Sequence, residues 1–256
     1  MSDESHASPQ STAPHLTAAV IPAAGRGVRL GPGAPKALRA LSGLPMLIHA
    51  VRAMAASRGV SLVVVVAPPD GAVEVKNLLD EHALPETTDY VVVPGGDTRQ
   101  ESVRAGLDAL PPGITEVLVH DAARPLVPVD TVDAVIEAVR GGAPAVVPAL
   151  PLADTVKQVE PATESGAPEP VVATPERALL RAVQTPQGFD LATLIRAHEQ
   201  VALNGEGATD DAGMVEQLGV QVVVVPGHEE AFKVTRPLDL VLAEAVLARR
   251  RANDGF

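Results

Sequence analysis

The chain contains no cysteine in its 256 residues. Disulfide staples, thiolate zinc sites and thiol nucleophiles are excluded together, and the pattern fits a reducing compartment. Aromatic residues are almost missing as well, with three Phe, one Tyr and no Trp. The core must therefore be assembled from Val, Leu, Ile and Ala, and the aromatic platforms that stack bases of single-stranded nucleic acid have little to be built from. Positive charge is scarce overall: 20 Lys and Arg stand against 32 Asp and Glu, a formal net charge of −12. A general nucleic-acid or membrane surface wants the opposite balance. No apolar run approaches the roughly 18 residues of a membrane span. The opening stretch MSDESHASPQSTAPH has neither the basic nor the apolar region of a secretory signal. Residues 1–15 are expected to form a disordered tail, and the protein is expected to be cytoplasmic. G-x-S-x-G and H-E-x-x-H are also missing, which removes support for hydrolase triads and zinc peptidases.

What the sequence does have is a series of short β-branched runs, at 16–23, 62–67, 90–95, 116–121, 145–150 and 220–227. Several are apolar without alternation, the mark of strands covered on both faces in a mostly parallel sheet. Helical patterns fall between them. Asp130 as N-cap precedes Val132, Val135, Ile136 and Val139; Pro237 precedes Leu238, Val241, Leu242 and Ala245; Thr98 with Glu101 makes a capping box before Val103, Leu107 and Leu110. Strand–helix alternation at this rhythm predicts a three-layer α/β fold, a single catalytic domain over 16–250. From 152 to 184 the rhythm breaks into strand-like pieces around a turn rich in Pro, Gly, Ser and Glu, predicting a β-hairpin arm that pairs with a second subunit.

The densest motif is AAVIPAAGRGVRLGPGAPKAL, Ala18 to Leu38, in which an apolar run opens into a loop bearing Gly25, Gly27, Gly31 and Gly33 among Arg26, Arg29 and Lys36. A dinucleotide fingerprint fails at Leu30, and a P-loop fails because Pro35 and Ala37 flank Lys36. A loop whose backbone N–H groups wrap an oligophosphate, with cations delivered by Arg29 and Lys36, fits the pattern; a solvated strand–helix connection is the plainer alternative. In VHDAARPLV, Asp121 ends an apolar strand, where it either ligates Mg²⁺ alongside substrate phosphates or caps a turn. His120 reads as packed or hydrogen-bonded, and Arg124 as paired with a carboxylate. PGGDTRQESV offers a second glycine turn lined by Asp97, Arg99 and Ser102. Thr209, Asp210 and Asp211 stand at a helix start, as caps or as assistants to a metal, and Lys233 is either exposed or aimed at the cleft. Cations, glycines and a lone acid suit phosphoryl or nucleotidyl chemistry, where positioning and charge stabilisation matter more than covalent catalysis.

PAAGRGVRL…PKAL, PGGDTRQESV, VHDAARP, LADTVK, QTPQGF, TDDAGMVE and FKVTRPLDL, in that order from Leu16 to Ala248, resemble the 2-C-methyl-D-erythritol 4-phosphate cytidylyltransferase family. The resemblance implies a Rossmann-like nucleotidyltransferase fold and the transfer of CMP from CTP to methylerythritol phosphate, giving CDP-methylerythritol and pyrophosphate on the non-mevalonate route to isoprenoids. It implies that Arg29 and Lys36 stabilise the transition state and that Lys233 acts on the phosphates. Ala23, Ala24, Gly25 and Gly27 would contact CTP through backbone. Gly96, Asp97 and Ser102, with Ala122 beside them, would recognise cytosine and ribose, and Asp121 would bind Mg²⁺. Thr155 and Arg177 would reach the acceptor bound by the partner of a homodimer, with Asp154, Thr185 and Thr235 nearby. The chain departs from the family's common pattern at Leu30 and Ala37, and ATPERALL around Arg177 matches only loosely. The nearest rival is a sugar- or alditol-phosphate nucleotidyltransferase; a dinucleotide oxidoreductase lacks its third glycine, and a non-catalytic relative should have lost Arg29, Lys36 or Asp121.

Overall fold

A computed structural model describes residues 16–25, 35–82, 84–85, 88–162, 164, 166–204 and 208–254. The expected tail at 1–15 and the stretch 26–34, with Arg26, Gly27 and Arg29, lie outside the described residues. In chain order the first half holds β1 (Leu16–Pro22), β2 (Ala40–Leu41), β3 (Leu44–Pro45), α1 (Met46–Ala55), β4 (Val60–Ala67), α2 (Ala72–Asp80), β5 (Asp89–Pro94), α3 (Arg99–Asp108) and β6 (Ile114–Val119). Then follow α4 (Val129–Arg140), β7 (Ala145–Pro151), β8 (Gln158–Val159), β9 (Val171–Ala173), β10 (Arg181–Val183) and β11 (Gln187–Asp190). The last elements are α5 (Leu191–Asn204), α6 (Asp211–Gln217), β12 (Val223–Pro226) and α7 (Pro237–Asp254).

Eight strands form the main sheet. β1 lies between β4 and β6, with β5 beyond β4, and all these pairings are parallel. β11 enters antiparallel between β6 and β7, β10 pairs antiparallel with β7, and β12 pairs parallel with it. The non-alternating sequence of β1 has the expected cause. Ala19 and Ile21 face α1, α2 and α4, whereas Ala18 and Val20 face α3, α5 and α6, and all four are fully buried. Val63 and Val65 of β4 repeat the first assignment, and Val64 and Val66 the second. Two apolar layers, each sealed by helices, make the sheet the continuous core of the molecule.

Helix entry follows the sequence at Thr98, whose hydroxyl accepts from the Glu101 amide while Glu101 accepts from the Thr98 amide, a complete capping box. Two other readings need correction. Pro128, without a side-chain bond, occupies the start of α4, and Asp130 lies inside its first turn, where a carboxylate favours the positive end of the helix. In α7, Leu238, Val241 and Leu242 are 76%, 61% and 52% exposed. The packed face is instead Ala243 and Val246, joined by Leu240 and Leu247 against Leu41, Met46, Leu126 and Val234. Within 152–184, β8 and β9 form their own antiparallel pair, and β10 returns the chain to the main sheet. This excursion leaves Val171, Val172 and Leu179 exposed at 57%, 53% and 76%.

Close packing of α3 on β1 depends on Gly106, where an added Cβ would lie 2.4 Å from Val20 Cγ1 and 3.0 Å from Val66 Cγ2. Overpacking of this kind costs about 1–3 kcal/mol, against a helix-propensity gain of about 1 kcal/mol for Gly→Ala. Gly106→Ala is expected to lower the urea midpoint in the wild-type background. In Val20→Ala, which removes the clashing methyl, the same change is expected to be neutral or stabilising.

Candidate active site

The carboxyl ends of β1, β4, β5 and β6 open together into a cleft of about 1090 Å³. Parallel strands deliver their following loops to one edge, and this is where α/β sheets place ligands. Ala23, Ala24 and Gly25 line it after β1, Gly96, Asp97 and Ser102 after β5, and Asp121 and Ala122 after β6. Lys36, Lys233 and Thr235 complete the wall. Eleven sequence candidates distant in the chain therefore share one cavity. A second cavity of about 530 Å³ beside α1 and α7 contains none of them.

Asp121 is the centre of the charge arrangement. Lys233 Nζ lies 2.6 Å from its Oδ2 and Arg99 Nε 3.5 Å from its Oδ1, and the carboxylate is only 12% exposed. Burial alone pushes such a group's pKa up; Lys233 and Arg99 outweigh it and hold the carboxyl well below the usual carboxylate range. Its backbone is fixed by a relay. The Asp121 amide donates to Thr185 Oγ1 at 3.1 Å, Thr185 Oγ1 lies 3.0 Å from His120 Nδ1, and His120 Nε2 lies 3.1 Å from the Arg124 carbonyl. One proton arrangement satisfies every contact: Nε2–H donates to the carbonyl and the threonine hydroxyl donates to Nδ1. His120 is thus a neutral structural group, as its sequence context suggested, and burial pushes its pKa down to about 4. Lys233 is aimed at the cleft rather than exposed on another face, because the Val234 amide donates to the Ala123 carbonyl at 2.8 Å.

At the other wall, glycine is required at Gly96, where a Cβ would lie 2.5 Å from that of Glu101, folded back into the capping box. Ser102 is buried and its hydroxyl donates to the Thr98 carbonyl at 2.9 Å, which leaves its oxygen as an acceptor. The Thr235 hydroxyl is likewise committed, donating to Asp239 at 3.0 Å. Arg124 corrects its expectation: its guanidinium donates to the Ala231 carbonyl at 2.7 Å and the Val183 carbonyl at 3.2 Å, not to a carboxylate. Asp154, Thr155 and Arg177 do not line the cleft; they are exposed in the excursion, where Arg177 donates to the Ala153 carbonyl. Arg99, read in the sequence as a residue that could line a ligand at the glycine turn, does line the cleft and carries more charge contact than any other cleft residue on α3. Its guanidinium also lies 2.7 Å from Asp211 Oδ2.

A sequence profile described as 2-C-methyl-D-erythritol 4-phosphate cytidylyltransferase (IspD) matches residues 17–249. The chain belongs to this family. It is 82% identical, over the full length of both, to the 2-C-methyl-D-erythritol 4-phosphate cytidylyltransferase of Streptomyces avermitilis. The Frankia casuarinae protein of the same name is 53% identical, over 91% of this chain and 81% of its own. Among solved structures, the Thermus thermophilus cytidylyltransferase has a TM-score of 0.69 at 37% identity, covering 91% of this chain and 98% of that one. A 4-diphosphocytidyl-2C-methyl-D-erythritol synthase from Anaerococcus prevotii reaches 0.77 at 27% identity, covering 91% and 99%. As a cytidylyltransferase-family enzyme the chain is a nucleotidyltransferase on a mostly parallel α/β sheet, as its motifs implied.

The His120 relay has a pH signature in metal-free protein. Between pH 6.5 and 4 the unfolded histidine takes up a proton that the folded one refuses, so stability falls as pH drops through that window. The full effect is about 3 kcal/mol. His120→Asn, whose amide oxygen can still accept from Thr185, is expected to be less stable than wild type at pH 7. The gap is expected to narrow toward pH 4.5, read as urea midpoints in EDTA.

Proposed function

We propose that this chain transfers CMP from CTP to 2-C-methyl-D-erythritol 4-phosphate in the cleft at the sheet's carboxyl edge, with Mg²⁺ and with residues from two copies of the chain. Membership of the cytidylyltransferase family gives the CTP-dependent step of the non-mevalonate isoprenoid pathway. The observation that supports this cleft as its location is Asp121, a carboxylate only 12% exposed with Lys233 on one oxygen, lining the same cleft as Ala23, Ala24 and Gly25.

An oxygen of the acceptor's phosphate attacks the α-phosphorus of CTP, the bond from that phosphorus to the β-phosphate bridge breaks, and pyrophosphate leaves. The second pKa of a phosphate monoester is about 6, so the nucleophile is already ionised at neutral pH. No general base is needed, and among the described residues no histidine lines the cleft. The obstacle is bringing one anion to another. Lys36 and Lys233 supply positive charge in the cleft, and Arg29 joins them by its place in the family motif. Ala23, Ala24, Gly25 and Gly27 approach CTP through backbone. Gly96, Asp97 and Ser102 with Ala122 read cytosine and ribose, and Thr235 stands beside Lys233.

The donor set fits a hard cation that shares its shell with substrate. Among the described residues no group of three His, Cys, Asp or Glu can hold a metal, and Asp121 offers one carboxylate beside the cleft. Mg²⁺ binds in this manner, through one or two carboxylates plus phosphates, and when bound it neutralises phosphate charge. For the acceptor, Asp154, Thr155 and Arg177 are exposed and away from their own cleft, beside the exposed apolar Val171, Val172 and Leu179. Both facts favour a homodimer in which the excursion of one copy completes the site of the other. Among the described residues no helix is long and apolar enough to cross a membrane, and we place the enzyme in the cytoplasm.

Pyrophosphate release from CTP and Mg²⁺ is expected to require methylerythritol phosphate; release with another alditol phosphate or with UTP would move the substrate assignment. Lys36→Ala is expected to fold and to lose turnover by roughly 100-fold or more. Activity within a few-fold of wild type would remove its role. Arg177→Ala is expected to raise KM for the acceptor and leave CTP binding unchanged. Mixing inactive Lys36→Ala with inactive Arg177→Ala chains is expected to restore activity, and no restoration would refute the shared site.

A further inference from the structure

We infer that Asp211 is a positioning residue that holds Arg99 back from Asp121 and thereby keeps the Asp121 carboxylate available to a divalent cation; this rests on the reading of Asp121 as the metal-binding group. Asp211 is fully buried at the start of α6 and is no part of the cleft lining. Its place is set by its neighbours. Asp210 caps α6 by accepting from the Gly213 amide at 2.9 Å and accepts from Gln187 Nε2 at 2.7 Å, while Gln187 Oε1 accepts from the Ala212 amide at 3.1 Å. Gln187 in turn is registered against Val119, the last residue of β6. From α5, His198 Nε2 lies 3.2 Å from Asp211 Oδ1. The backbone on either side of Asp211 is thus anchored to β11, which pairs with β6, the strand whose following loop carries Asp121.

Arg99 lies between the two acids, and the division is unequal: 2.7 Å from Nη2 to Asp211 Oδ2 but 3.5 Å from Nε to Asp121 Oδ1. Lys233 already occupies Asp121 Oδ2 at 2.6 Å. An arginine drawn fully onto Asp121 would cover the remaining oxygen in the forked geometry that guanidinium and carboxylate prefer. Asp211 prevents that closure and balances the charge. With it, Lys233 and Arg99 face two carboxylates; without it, two cations face one, and an incoming cation meets a net positive site. A fully buried carboxylate is expensive to keep unless it is paired, and Arg99 is the cation that pairs it.

The test is an electron paramagnetic resonance titration of Mn²⁺ into the full-length protein saturated with CTP, reading the free hexaaqua signal. Asp211→Asn, isosteric and uncharged, is expected to weaken Mn²⁺ binding tenfold or more; Asp211→Ser serves if that variant does not fold. The double variant Arg99→Met/Asp211→Asn is expected to bind Mn²⁺ within about threefold of wild type, a recovery that a packing role for Asp211 would not produce. Unchanged Mn²⁺ affinity in the single variant overturns the inference, as does a double variant as weak as the single one. Wild-type protein that binds CTP but no Mn²⁺ would overturn the metal reading of Asp121 itself, and the inference with it.

Discussion

The carboxylate of Asp121 sits just past the end of a strand buried on both faces, where desolvation disfavours its charge, and it stays ionised because Lys233 and Arg99 reach its two oxygens. That requirement organises much of the molecule. Lys233 arrives on the segment before α7, which is pinned to the loop after β6 by the Val234–Ala123 hydrogen bond. Arg99 arrives because the Thr98 capping box fixes the first turn of α3. Thr185, on the connection between β10 and β11, closes over the Asp121 amide and the His120 ring. Segments near residues 99, 121, 185, 211 and 233 converge on one point, and each is held there by a bond independent of any ligand.

The same arrangement reconciles an acidic chain with an anionic substrate. A net charge of −12 repels nucleotides at long range, but at ionic strengths near 0.1 M that repulsion is screened beyond roughly 10 Å. On the proposed reading, a triphosphate in the cleft meets a local arrangement: Lys36, Arg99 and Lys233 among Asp70, Asp97 and Asp121, with backbone from Ala23 to Gly25. The net charge of the chain and the placing of individual cations in the cleft act over different distances.

Strands were legible because burial on both faces suppresses alternation, and LVVVVA or EVLVHD admits few other readings. The capping box and the glycine turn were legible because both are local chemistry. Readings failed where partners are set by the tertiary fold. The apolar spacing of Leu238, Val241 and Leu242 gives a stripe but not the side that packs, and α7 lays Ala243 and Val246 on the core instead. Arg124 was expected to find a carboxylate and found two carbonyls, a choice made by the loop's path. The Arg99–Asp211 pair spans more than a hundred residues and has no local signature at all.

The division of candidates between cleft and excursion has a physical logic. Recognition of CTP, on the proposed reading, calls for backbone amides and cations held in fixed geometry, and these line the carboxyl edge of the parallel sheet. On the proposed reading, acceptor recognition is delegated to β8, β9 and the turn at Arg177–Leu179, which share no layer with the main sheet. A segment so placed can change length or composition without disturbing the two sealed apolar layers. On that same reading, its exposed Val171, Val172 and Leu179 would act as contact surface, so that the segment giving acceptor specificity would also give association. If the cleft holds the nucleotide and the arm reads the acceptor, as proposed, the two are under separate constraints, joined at Arg124, whose guanidinium ties the Asp121 loop to β10 at the root of that arm.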